Sequence, residues 1–142
     1  MPDHRPRAAL AAVVALAMLL GSACRSLPDA PTAIAYDRES CAHCHMLIGD
    51  PRYAVQLVTA DGDVLDFDDP GCALAYLARA PRHVHRLWFR DAARDRWIAA
   101  ADVRFVRGAD TPMGYGLAAT DATARRTLTL DQAAIVVAGR GP

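Results

Sequence analysis

The sequence has no lysine and no asparagine, and its 16 basic residues, all arginine, are balanced by 16 acidic ones to a formal net charge of zero. The two missing residue types read as the coding bias of a GC-rich bacterial genome. A balanced chain without a block of like charge counts against a nucleic-acid partner, because neutralising a phosphate backbone takes clustered cations. The longest apolar run, Ala8–Leu20, has thirteen residues. At ~1.5 Å per residue that falls well short of the ~30 Å hydrocarbon core of a bilayer. There is no Ser-His-Asp order with supporting motifs, no phosphate loop, no G-x-G-x-x-G and no H-E-x-x-H, so nothing argues for a catalytic centre. What is present is ample apolar material: 53% of 142 residues, with 23% charged, is enough to bury one core.

The amino terminus reads as an address. His4, Arg5 and Arg7 precede the apolar run, which ends in Leu20-Gly21-Ser22-Ala23-Cys24. The pattern is a signal peptide over residues 1–23, and its end is similar to the lipobox of bacterial lipoproteins, in which the cysteine becomes the lipidated first residue. Gly21 stands where a lipobox usually has a larger aliphatic, and cleavage after Ala23 with Cys24 left free is the alternative. Without a twin-arginine pair, export is expected by the general route. Either way the mature chain works outside the cytoplasm, and lipidation of Cys24 would anchor it to a bacterial membrane, facing the periplasm. Residues 24–38, with Pro28 and Pro31 and no periodicity, are expected to form a flexible tether.

Beyond the tether the pattern predicts an α+β fold. Tyr53–Thr59 reads as a strand, Asp61-Gly62 as a two-residue hairpin turn and Val64–Phe67 as the partner strand. Asp69 at N-cap and Pro70 at N1 start a helix that runs to Arg79 and stops at Pro81. His83–Phe89 is a further strand. A weaker copy of this order follows: short strands at 96–99 and 103–106, a Pro/Gly loop at 111–116, a strand near 115–119 and a helix start at 121–126. The stretch 128–138 is ambiguous between strand and helix. The expectation is two small ββαβ-type units, about 41–92 and 93–138, the second of them incomplete, making up a domain over residues 39–138.

The densest chemistry is Cys41-Ala42-His43-Cys44-His45-Met46. Two cysteines at i, i+3 can point at one ion. Thiolate, imidazole and thioether together suit Cu(I) better than zinc, which hardly uses methionine. A redox-active or structural Cys41–Cys44 disulfide competes with this reading in an oxidising compartment. A thioredoxin-like motif, however, needs a strand before it, and none is expected here. Cys72, one turn into the helix, is most simply a small buried apolar residue. Yet with Cys24 acylated three cysteines remain, and an odd count leaves one thiol free or held by a ligand. Met113, between Pro112 and Gly114, is presented outward and is a candidate thioether ligand. His83 and His85 share a strand face without a third donor nearby, and Asp66, Asp68 and Asp69 are explained by capping and turns.

Four features fall in order: the lipobox Cys24; the C-x-x-C-x-M run at Cys41–Met46; Phe67-Asp68-Asp69-Pro70-Gly71-Cys72 entering a helix; and Thr111-Pro112-Met113-Gly114-Tyr115-Gly116. This ordered set resembles the NosL family, copper-chaperone lipoproteins accessory to nitrous oxide reductase. The resemblance covers roughly residues 36–120. It implies two related ββαβ-type units, Cu(I) binding without enzymatic activity, and delivery of copper towards the copper–sulfide cluster of the reductase. The partners it implies are a membrane-bound ATP-driven maturation complex and apo-nitrous oxide reductase. On matching positions Cys41, Cys44 and Met46 would form the metal motif, with Met113 from the second unit. The family usually has glycine where this chain has His45, and His43 lies within the pair, so two imidazoles are available as further ligands.

Overall fold

A computed structural model describes residues 26–80 and 83–140. The expected signal peptide over residues 1–23, Cys24 and Pro81 lie outside the described residues. The apolar stretch after Pro51 becomes the middle of a four-stranded antiparallel sheet. Its strands are β1 (Val55–Thr59), β2 (Val64–Phe67), β3 (Val84–Arg90) and β4 (Trp97–Ala99), in the order β2-β1-β3-β4. An inner strand covered on both faces has no solvent side, and all five residues of β1 are buried. The β1–β2 connection is closed by the Thr59 N–H donating to the Asp63 carbonyl at 2.9 Å, so its loop is Ala60-Asp61-Gly62. That is one residue longer than the two-residue turn expected. Gly62 supplies the left-handed backbone, φ +95°, that a three-residue hairpin loop demands.

Helix α1 (Pro70–Arg79) begins where the sequence places it, with Asp69 as N-cap and Pro70 in the first turn. Its amino-terminal half, Pro70–Leu74, is buried. The second half of the chain departs from a copy of the first. β4 pairs with β3 and completes the first sheet. β5 (Arg104–Arg107) pairs with β6 (Leu117–Thr120) in a separate two-stranded sheet. The helix start expected at 121–126 is instead a series of turns. Asp121 spends its carboxylate locally on the Thr123 N–H and, across the chain, on Arg94 and Arg96, and Arg126 takes φ +56°. The ambiguous stretch resolves as helix α2 (Leu130–Ala138), started by a reciprocal capping box between Thr129 and Gln132. Among the described residues no strand follows α2. None of the described helices is long and apolar enough to cross a membrane.

One core serves both halves. Phe89 of β3 meets Phe105 of β5 edge to face with ring centroids 5.2 Å apart. The same buried cluster takes in Phe67, Cys72, Leu117 and Val137. Residues 26–38 carry no regular element, but they do not hang free. The Thr32 N–H donates to Gln56 Oε1 at 2.7 Å, Ile34 and Tyr36 pack against the core, and the Asp37 N–H donates to the Ile48 carbonyl at 2.9 Å. Gln56 is buried in β1; its oxygen accepts from this segment, while its Nε2 donates to Asp66 Oδ1 at 2.8 Å and, more weakly, to the Thr32 carbonyl at 3.4 Å. That buried need holds down a stretch whose composition reads as a tether.

Candidate metal centre

The Cys41–Met46 run folds into a tight loop. The Cys41 N–H donates to the Met46 carbonyl at 2.8 Å and the His45 N–H to the Cys41 carbonyl at 3.0 Å. His45 closes the turn with φ +64°, the position at which a glycine is free of strain. The Ala42 N–H donates to the Asp66 carbonyl at 2.9 Å, which fixes the loop to the end of β2. Two residues beyond β2, Asp69 caps α1 and places Cys72 at the third helical position. The outcome is a cluster that the C-x-x-C spacing alone does not contain: the Sγ atoms of Cys41, Cys44 and Cys72 all lie within 4.8 Å of one another. All three are free thiols.

Cys41 and Cys72 are fully buried, whereas Cys44 is half-buried and opens the cluster to one side. The electrostatics single out one sulfur. A hydrogen bond from the Cys72 thiol, then backbone N–H groups of Cys44, Asp68 and His43, hold the Cys41 thiol down at about 4 against the cost of its burial. Cys44 is pushed up, chiefly by burial. Cys72 is pushed up further, because it donates to the Cys41 thiolate and is itself buried. The cluster is therefore one thiolate with two thiols, poised at the amino-terminal end of a helix where the backbone favours negative charge. Burial also raises the carboxyl of Asp68, whose Oδ1 accepts from the Gly49 N–H at 3.3 Å.

The 111–116 loop reaches the same end of α1. Asp69 accepts from the Gly71 N–H at 2.7 Å with one oxygen and from the Met113 N–H at 3.0 Å with the other. The Tyr115 side chain lies on Gly71 so closely that a Cβ there would fall inside it, which gives this glycine a packing role. Met113 is thereby held beside the cluster's helix, with its side chain partly exposed.

The structure brings together Cys41 and Cys44, as the motif implied, and adds Cys72, which the sequence reading ranked lower. His43 and His45 lie in the loop, but neither ring nitrogen belongs to the three-atom group; His43 contributes its backbone N–H. Met46 is 59% exposed. The signal for Cys72 was in the sequence: an Asp-Pro helix start three residues before a cysteine, and an odd thiol to account for.

Three sulfurs so placed can hold a metal ion. An ion with metal–sulfur bonds of ~2.3 Å at the centre of a sulfur triangle sets its sulfurs ~4 Å apart, inside the 4.8 Å that encloses the three. The all-sulfur donor set suits a soft ion; a zinc ion would need a fourth ligand from the open side. No protein-family model, no curated protein and no solved structure matches the chain.

Proposed function

We propose that the protein is a copper carrier of the kind the NosL resemblance implies: a periplasm-facing lipoprotein, anchored through Cys24, that binds Cu(I) and passes it on. The observation that carries this reading is the gathering of Cys41, Cys44 and Cys72 sulfurs within 4.8 Å from two separate segments of the chain. A carrier needs tight equilibrium binding and fast release. Three sulfurs around a low-coordinate monovalent ion provide both, because an incoming donor can add from the Cys44 side before an old bond breaks. Met46, and Met113 on its loop held to Asp69, are the thioethers available to such an exchange. His43 and His45 stand in the same loop as further donors. The client by resemblance is apo-nitrous oxide reductase, reached together with a membrane-bound ATP-driven maturation complex. The protein itself performs no reaction.

A thiol–disulfide oxidoreductase working through Cys41 and Cys44 is less well supported. Such an enzyme needs its low-pKa thiolate exposed to a substrate disulfide. Here the depressed thiol, Cys41, has no exposed surface, and the accessible one, Cys44, is pushed up.

Anaerobic titration with Cu(I) against a competing chelator tests the carrier. Wild type is expected to bind one ion tightly, Cys72→Ser more weakly, and the Cys41→Ser/Cys44→Ser double variant hardly at all, with a smaller loss for Met46→Leu. Unchanged affinity in Cys72→Ser or in the double variant rules the site out. Turnover in a dithiol–disulfide assay by the reduced protein would favour the oxidoreductase.

A further inference from the structure

The segment between Cys24 and the domain is too short and too firmly docked to be a leash, and its course gives the molecule an orientation. Leu27 sits on the β1–β2 turn, its Cδ2 3.3 Å from where a Cβ on Gly62 would stand. Asp29 pairs with Arg86 at 2.7 Å, and Arg86 lies opposite Val58 in the sheet. Thr32 then meets Gln56, two residues further back along β1. Each contact lies further from the turn than the one before, so the segment runs the length of β1 from the turn to the opposite end. At that opposite end stand Asp66, the Cys41–Met46 loop and the start of α1.

Exposed pairs such as Asp29–Arg86 are worth little by themselves. The buried Gln56 amide is a different matter. The segment covers that amide and supplies the N–H donor to its oxygen, so undocking it gives up a hydrogen bond in an otherwise buried position and docking is part of folding.

We infer that residues 27–36 are a strap that puts the acylated end at the β1–β2 turn and aims the three-cysteine cluster away from the membrane, so that the metal is handed over on the side facing the periplasm and not at the bilayer surface. The inference rests on the proposed lipid anchor and metal cargo. Leu27 is three residues on from Cys24, which limits the anchor to ~10 Å from the turn. The cysteine loop is fixed at Asp66, four residues along β2 from Gly62 of the turn, or ~13 Å. The turn end carries partly exposed Val64 and Val84, suited to a headgroup boundary, while Asp61 and Asp63 keep it from inserting. The cluster end carries Met46, Leu47 and Met113, the first two more than half exposed. Met46 and Leu47 follow Cys44 in the chain and the Met113 backbone is held to the Asp69 cap of α1, so these exposed apolar side chains belong to the end from which the ion would leave.

The test uses the full mature lipoprotein in phosphatidylethanolamine/phosphatidylglycerol vesicles. Amide hydrogen exchange is compared with that of the same chain left unacylated in solution. Protection on the vesicle is expected at 60–63 and not at 41–47. Inserting about twelve Gly/Ser residues after Cys24, outside the folded part, should remove that protection by freeing the domain. In a second arm the Cu(I)-loaded protein on vesicles meets either soluble bathocuproine disulfonate or a Cu(I) chelator linked to a lipid headgroup. The headgroup-linked chelator should extract at least about tenfold more slowly, and the insertion should narrow that gap. Protection at 41–47, absence of protection at 60–63, equal extraction rates, or failure of the chain to stay on vesicles would each overturn the orientation. Failure to load copper would instead remove the proposed cargo, while the exchange arm still reads the orientation.

Discussion

Cys41 shows how much a few backbone groups can do to one side chain. Its thiol is held near 4 by the Cys72 thiol and three N–H groups, while an unfolded cysteine titrates at ~8.5. The folded value is the lower one. The thiolate therefore adds stability that is complete above the unfolded value and lost as pH falls towards 4. Cys44 and Cys72 are shifted the other way, so above the unfolded value the folded state keeps protons that the unfolded state gives up, and stability declines again. The melting temperature of reduced, metal-free protein is expected to rise with pH across the acid and neutral range and to turn over near ~8.5. Asp66 and Asp68, both raised by burial, oppose the rise at its acid end. Comparison with Cys41→Ser isolates the cysteine: that variant should lose most of the upward slope, and an unchanged slope would show the thiol to be neutral in the fold. With one sulfur already ionised, metal binding near neutral pH should release two protons rather than three.

At the scale of elements, one carboxylate joins the start of α1 to the 111–116 loop. Asp69→Ala removes a helix cap and leaves the Met113 N–H without its acceptor. A loss of about 2–3 kcal/mol in denaturant unfolding is expected, together with weaker metal binding. Thr129→Ala, which strips the capping box from α2, should cost about 1 kcal/mol and leave metal affinity unchanged. If both variants weaken metal equally, the cap on α1 has no special part in placing Cys72. These two helix starts also show what was legible beforehand. The Asp-Pro start of α1, the β-branched content of β1 and the alternation of β2 are local signals, and the elements appear where the local rules put them. Thr129-x-x-Gln132 was an equally local signal for α2, masked by an apolar stretch of ambiguous period. The pairing of β4 with β3 is a tertiary choice that leaves no mark on three residues. Asp121 looked like a helix cap because its competing arginines, Arg94 and Arg96, lie far back in sequence. The two cysteines of the motif were legible for the same reason as α1. The third was legible only as an odd thiol just inside that helix start, because its distance from them depends on how a helix docks. Residues 26–38 read as a tether because their lack of periodicity reflects a partner, Gln56, found only in the folded sheet.

For the whole molecule, the shared core has a thermodynamic consequence. The Phe89–Phe105 contact and the common buried cluster tie both sheets and both helices together, so the chain should unfold in one transition. A metal ion held by the three sulfurs would contact residues brought together only by that fold. At about a thousand times its dissociation constant a ligand selective for the native state stabilises by about 4 kcal/mol, less whatever the unfolded thiols retain. Anaerobic calorimetry is expected to show a single peak that moves up on loading. Two peaks, with only one shifted by metal, would mean that the halves fold independently.

The sulfur triangle has an odd number of corners. Joining any two of them as a disulfide sends two electrons to an external oxidant, with one proton released where the Cys41 thiolate is a partner and two where Cys44 joins Cys72, and strands the third, so damage arrives in whole molecules. A partly aired preparation is then a mixture of competent and blank copies. Its shortfall would show as a count of empty seats, while the grip of every surviving seat stays as firm as before.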